Sequence, residues 1–352
     1  NPNIFKIFFS DFYLIYAGSE LLSQNLNPYK EWLQLHNSPF FNPPIVFYFF
    51  KFISNFEYTT IAKIWFLISF LSFILIPIIF FKIFKLEQKY SLIFILCFGG
   101  ISLSVFLTGN LSVILSSFFA FSLFLMSKGK EHSFYLILSL LSLIKFPYLI
   151  FFGIPFLVKG LKKEIFLNTF FYLFFIALIY LISFYYNPDL FYSWLNSLEY
   201  AKQIGDRGDF GRGLFRILDN YFFSNTFLNY FIYFLISGTL FIFSIFLFNK
   251  SKFLNEKKNK DIAIALSIII LTMLLPRLKS YDVLVTIPCL FFIIKIIRFK
   301  ISEDLNSFIK FLLFLLLFCW TSPYAPITFY LIILITVSSD LKFNFIEKNK
   351  KL

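Results

Sequence analysis

The sequence predicts an all-α polytopic membrane protein, and three observations carry that prediction. Of its 352 residues, 59% are hydrophobic and only 14% are charged. The mean hydropathy is +0.79. Apolar runs recur along the chain that reach or approach the roughly 20 residues needed to cross about 30 Å of hydrocarbon. A Rossmann, barrel-enzyme or disulfide-stapled reading is excluded, because no such fold exposes this much apolar surface to water. Within lipid a backbone must satisfy its own hydrogen bonds, and the alternating pattern of a lipid-facing barrel strand is absent, so the spans are helices.

Continuous spans are predicted at 61–81, 91–107, 111–127, 165–184, 230–248, 261–276, 281–297, 308–320 and 326–338. Three further stretches are short or broken: 43–58 either crosses or re-enters, and 132–144 with 148–158 form a hairpin or one helix interrupted at Pro147. Together they make about 9–12 transmembrane or re-entrant helices in one membrane-embedded domain over 1–338, followed by a basic cytoplasmic tail at 339–352. The net charge of +13 lies mostly between spans and in that tail. Lysines so placed mark the cytoplasmic side, so the charge orients the chain and does not imply nucleic acid. The segments 159–163, 249–260 and 298–310 are then cytoplasmic, which puts 185–229 outside. The segment 11–42 reads as a second external loop carrying interfacial helices, since loops this long and this aromatic are seldom plain turns.

Several residues can carry chemistry. Asp11 opens the stretch DFYLIYAGSELL, where it either caps or charges a surface helix or serves as a general base beside the headgroups. Asn110 in LTGNLS interrupts two apolar runs, either starting a helix or offering donor and acceptor atoms to a ligand. Lys145 in IKFPY is an interfacial anchor or a ligand for an anionic headgroup. The loop GDRGDFGRG sets Asp206, Arg207, Asp209 and Arg212 among glycines, as a solvated hinge or as phosphate and hydroxyl ligands. In LLPRLKSYDV, Arg277, Lys279, Tyr281 and Asp282 form a short basic loop or a phosphate-recognising cluster. Cys97, Cys289 and Cys319 lie in apolar runs without ligand spacing, and His36 and His132 stand apart, so neither a metal nor a cofactor is predicted.

These motifs, in order, resemble glycosyltransferase family 87, a member of the C-type group of integral-membrane enzymes that use polyprenyl phosphate sugars. Asp11 matches the acidic residue of the first external loop, Tyr16 the following aromatic, and Ala17 with Gly18 the small pair. Asn27-Pro28-Tyr29, FNPP at 41–44, Trp65, TGN at 108–110 and IKFPY at 144–148 continue the match over about 11–160. GDRGDFGRG and LPRLKSYD depart from the family's usual loops. The resemblance implies a C-type glycosyltransferase fold and a membrane helix ahead of Asp11, so that the amino end is incomplete. It implies a hexosyl donor, commonly mannosyl, on a polyprenyl phosphate, and a glycan or glycolipid acceptor at the non-cytoplasmic face of the cell inner membrane. Asp11 would be the base, and Lys145, Arg277, Lys279, Arg207 and Arg212 would serve the leaving phosphate. Tyr16, Tyr29, Asn110, Asp206, Asp209, Tyr281 and Asp282 would shape the sugar and acceptor pocket. The alternative function is a lipid-glycan transporter or flippase, which many helices and headgroup recognition would also suit.

Overall fold

The structure is a computed structural model that describes residues 9–205, 215, 226–251, 259–276, 280–296 and 303–318. The chain divides into two compact units, 1–76 with 102–149 and 168–209, and 77–101 with 150–167 and 210–352. Among the described residues the secondary structure is entirely helical.

The first unit begins with two helices outside the long spans, α1 (Ser10–Ser23) and α2 (Pro28–His36). Asn27 starts α2: its side chain accepts from the N–H groups of Tyr29 and Lys30, and Pro28 occupies the first helical turn, where its missing N–H costs nothing. The stretch 43–58 does not cross as one helix. It divides into α3 (Pro44–Phe50) and a 3-10 turn, Lys51–Asn55, before the long helix α4 (Tyr58–Ile83) begins. At about 1.5 Å per residue, seven residues of α3 cover about 10 Å, a third of the hydrocarbon.

After α4 come α5 (Ser91–Leu107), α6 (Ser112–Ser127) and α7 (Glu131–Ile144). Gly129, at φ +83°, turns the chain between α6 and α7, a backbone conformation that a residue with a Cβ adopts only under strain. The two helices therefore run antiparallel, with Ser112 and Lys145 at one end and Lys128 and Lys130 at the other. The sequence allows 132–158 to be a hairpin or one helix interrupted at Pro147; the chain is interrupted there, with α7 ending at Ile144 and a 3-10 segment that contains Pro147, Phe146–Gly153, leading into α8 (Ile154–Lys159). α9 (Lys163–Tyr186) lies along α7 in the same direction, because the Tyr172 hydroxyl donates to the His132 carbonyl and the Tyr180 hydroxyl to that of Leu143. α10 (Pro188–Gly205) then folds onto α2.

In the second unit α11 (Thr226–Lys250), α12 (Lys260–Met273), α13 (Thr286–Ile296) and α14 (Glu303–Phe318) follow. Residues Ala263–Met273 of α12 and Thr286–Ile294 of α13 are buried throughout, as expected of helices apolar on every face. Rings close the packing: Phe84 stacks on Phe292 at 4.3 Å, and Phe291 meets Phe94 and Phe314, each at 5.0 Å. Close approach at Gly153 leaves no room for a Cβ, which would meet Leu271 and Phe241.

Among the described residues three helices, α4, α9 and α11, are long and apolar enough to cross a bilayer. α9 exposes Phe166, Phe170, Phe171, Phe174 and Leu181, and α11 exposes Phe227, Phe231, Phe234 and Ile242. Rows of this kind are untenable in water and ordinary against lipid chains. Shorter apolar helices, α6, α7 and α13 among them, accompany the long ones, so the chain is an all-α polytopic membrane protein. The predicted span 326–338 lies outside the described residues.

Candidate active site

The site is built from the start of α1, the loop between α5 and α6, and the open end of the α6–α7 hairpin, all in the first unit. α1 docks through residues one turn apart. Phe12, fully buried, stacks on Trp65 of α4 at 4.3 Å, and Tyr16 meets Tyr58 edge-on at 5.1 Å while donating its hydroxyl to the Phe56 carbonyl at 3.0 Å. Truncating a ring so enclosed typically costs about 3–5 kcal/mol.

The loop Thr108-Gly109-Asn110 is held from both sides. The Asp11 N–H donates to the Thr108 carbonyl at 3.0 Å, and the Trp65 indole N–H donates to the Gly109 carbonyl at 2.9 Å. Gly109 has φ +67°, and its Cα faces the ring of Phe9, so the residue supplies both a left-handed turn and a close approach. Asn110 is thereby set with its two amide atoms in different directions. Its Nδ2 donates to Asp11 Oδ2 at 2.7 Å, and its Oδ1 accepts the Ser112 N–H at 2.9 Å.

Asp11 is consequently not the cap of α1. It sits in the first turn, after a terminus at Phe9 that has no side-chain cap, and its carboxylate turns toward Asn110. Negative charge is favourable at that end of a helix. Across the hairpin, Lys145 leaves α7 in an extended conformation and donates its ammonium to Ser112 Oγ. One turn further, Ser116 Oγ and the Tyr148 hydroxyl lie 3.2 Å apart. Asp11, Asn110 and Lys145 are all half-buried, whereas Ser112 is only 1% exposed.

The structure thus brings together Asp11, Asn110 and Lys145 from the sequence-predicted set. Tyr16 and Tyr29 are buried, and the Tyr29 hydroxyl donates to the Asn42 carbonyl at 2.6 Å. Burial pushes the Tyr29 phenol well above its ordinary pKa. Asp206, Arg207, Asp209, Arg212, Arg277 and Lys279 lie outside the described residues. Tyr281 and a half-buried Asp282 belong to the 3-10 turn Ser280–Val283 of the second unit. Among the described residues no group of three or more His, Cys, Asp or Glu side chains could hold a metal ion.

Two features escaped sequence reasoning. Ser112 was visible only as the last letter of LTGNLS, and its Asn-x-Ser spacing at a helix start is the signal that would have flagged it. The second is a clasp over α2, where Asn27 Nδ2 donates to Asp189 Oδ2 at 3.0 Å and to Ser193 Oγ at 2.9 Å, and Lys30 pairs with Asp189 at 2.7 Å. The Lys30 ammonium, and then Asn27, hold the Asp189 carboxyl below the usual carboxylate range. Beside Lys145, the rings of Phe146, Tyr180 and Trp194 lie nearly parallel, with centroids 5.2, 5.6 and 6.1 Å apart.

The fold and this cluster define a multi-spanning, all-helical membrane protein with an acid, an amide and an ammonium gathered at one end of a helical hairpin. The model of glycosyltransferase family 87 matches residues 40–276, two thirds of the chain, and the chain belongs to that family: it is a membrane glycosyltransferase. The match includes Asn110 and Lys145, and Asp11 precedes it. A search of curated proteins and one of solved structures each find no match.

Proposed function

We propose that the protein transfers a hexosyl residue, in the first instance mannosyl, from a polyprenyl phosphate to a glycan or glycolipid acceptor with inversion at the anomeric carbon. The observation that carries this reading is the Asp11 carboxylate, half-buried and held by Asn110, at the same hairpin end from which Lys145 extends. In the reaction the acceptor oxygen forms a bond to the anomeric carbon as the bond from that carbon to the phosphate oxygen breaks. The acceptor's proton passes to Asp11, and the polyprenyl phosphate departs with the electron pair. A phosphate monoester is a competent leaving group, so one base suffices where a hydrolase needs an acid and a base. Lys145 stabilises the charge accumulating on the phosphate, with Arg207, Arg212, Arg277 and Lys279 as further candidates.

The non-cytoplasmic face is supported by the hairpin itself. Lys128 and Lys130 stand at its tip, opposite Ser112 and Lys145, and lysines next to apolar helices favour the cytoplasm. A cell inner membrane, with the lipid bilayer as the medium for donor and acceptor, fits this arrangement.

The test is sugar transfer by full-length protein in liposomes, using a panel of radiolabelled polyprenyl phosphate sugars and membrane-lipid acceptors. Asp11→Asn keeps the hydrogen bond to Asn110 available but removes the base, so transfer should fall by about 10²–10⁴-fold with donor binding retained. Lys145→Ala should weaken donor use more than membrane insertion. Undiminished transfer by purified Asp11→Asn protein overturns the base assignment, and movement of labelled lipid between leaflets without transfer replaces the reading with transport.

A further inference from the structure

We infer that Asn110 and Ser112 form a positioning bridge, in which Ser112 holds the Lys145 ammonium while Asn110 holds the Asp11 carboxylate; this rests on the glycosyl-transfer reading above. The bridge is short and continuous. Asp11 Oδ2 accepts from Asn110 Nδ2 at 2.7 Å, Asn110 Oδ1 accepts the Ser112 N–H at 2.9 Å, and Ser112 Oγ accepts from the Lys145 ammonium.

The chemistry of the amide makes the bridge directional. An Asn side chain has one accepting and one donating end. Because Oδ1 is committed to the Ser112 N–H, the end turned to Asp11 is the donor, which fits an unprotonated carboxylate oxygen. Asn110 Nδ2 engages one lone pair of Asp11 Oδ2, and so Asn110 fixes the orientation in which the carboxylate receives the acceptor hydroxyl's proton.

The lysine end follows from backbone geometry. Lys145 terminates α7 at φ −145° and ψ 106°, so its stem leaves the helix and crosses to the first residue of α6. A lysine is a flexible point charge, and a phosphate site built on it needs something to fix the ammonium. Ser112 is 1% exposed and its own N–H is tied to Asn110, which holds the residue in place as an acceptor. Ser112 is a positioning residue, acting on the donor through Lys145 and on the base through Asn110.

The experiment compares wild type, Ser112→Ala and Ser112→Thr, each full-length in liposomes, by two readouts. The first is the acetylation rate of Lys145 against pH, followed by competitive labelling and mass spectrometry, which needs no enzyme activity. The second is kcat and KM for the polyprenyl phosphate sugar that wild type uses. Ser112→Ala should change the Lys145 labelling profile and lower kcat/KM for the donor by about tenfold, the scale of one hydrogen bond to a charged group. Ser112→Thr, which keeps the hydroxyl, should return both toward wild type. A Lys145 profile in Ser112→Ala that superimposes on wild type overturns the bridge, as does equal loss in the Ala and Thr variants. If wild type transfers no sugar, the functional reading fails on its own, and the labelling profile still decides the Ser112–Lys145 contact.

Discussion

Gly109→Ala should damage both the stability and the activity of this protein, and Gly129→Ala provides the matched control. Both glycines have positive φ, +67° and +83°, so each substitution places a side chain in the left-handed region, at a cost of about 1–2 kcal/mol. They differ in surroundings. A Cβ at Gly129 meets nothing within 4 Å, whereas at Gly109 it would fall 3.1 Å from Phe9 Cβ and Cγ and closer still to Cδ1. Phe9 is 4% exposed and packs edge-on against Phe66 at 6.0 Å, so its ring cannot swing aside into solvent. Overpacking of this kind adds about 1–3 kcal/mol, for a total of about 2–5 at Gly109 against about 1–2 at Gly129. Phe9 also accepts the Tyr13 N–H at 2.8 Å, so moving it shifts the first turn of α1 and Asp11 with it. Thermal unfolding of the two variants in one detergent, followed by the transfer assay, separates the terms. The expected result is a larger loss of stability in Gly109→Ala and a fall in kcat that Gly129→Ala does not share. Equal destabilisation would refute the steric argument, and a destabilised Gly109→Ala with normal kcat would refute the link from this loop to Asp11.

Trp65→Phe keeps the stack on Phe12 but leaves the Gly109 carbonyl without its indole donor, and should cost about 1–3 kcal/mol in unfolding experiments. Asn27→Ala removes the cap of α2 together with the bonds to Asp189 and Ser193; a loss of about 1–2 kcal/mol is expected, with proteolysis of the 24–42 segment as a second check. Asp189→Asn tests the ion pair with Lys30. Because the folded carboxyl titrates lower than the unfolded one, its contribution is present above the ordinary aspartate range and is lost as pH falls through the lowered folded value. Both groups are more than half exposed, so the difference between wild type and Asp189→Asn should be at most about 1 kcal/mol at neutral pH and vanish in acid and in high salt.

The sequence by itself determined the class of this protein, because that depends on quantities that add along the chain. Apolar run length decides whether a segment leaves water, and the run 61–81 accordingly appears within the helix Tyr58–Ile83. Pro147 could be read as a break because proline's geometry is local. Asp11, Asn110 and Lys145 could be singled out because polar residues are costly beside hydrocarbon and need a reason to be there. Only the tertiary structure decided what those residues do to each other. Asp11 and Asn110 are 99 positions apart, and Lys145 and Ser112 are 33 apart. Their meeting depends on how α1 docks and on the antiparallel return of the hairpin at Gly129, which no local signal encodes. The same holds for 43–58, whose composition suits a span but whose chain divides at Lys51. There Phe47 is buried within the α1–α3 packing, and the 3-10 turn that follows sets the end of the loop against the start of α4.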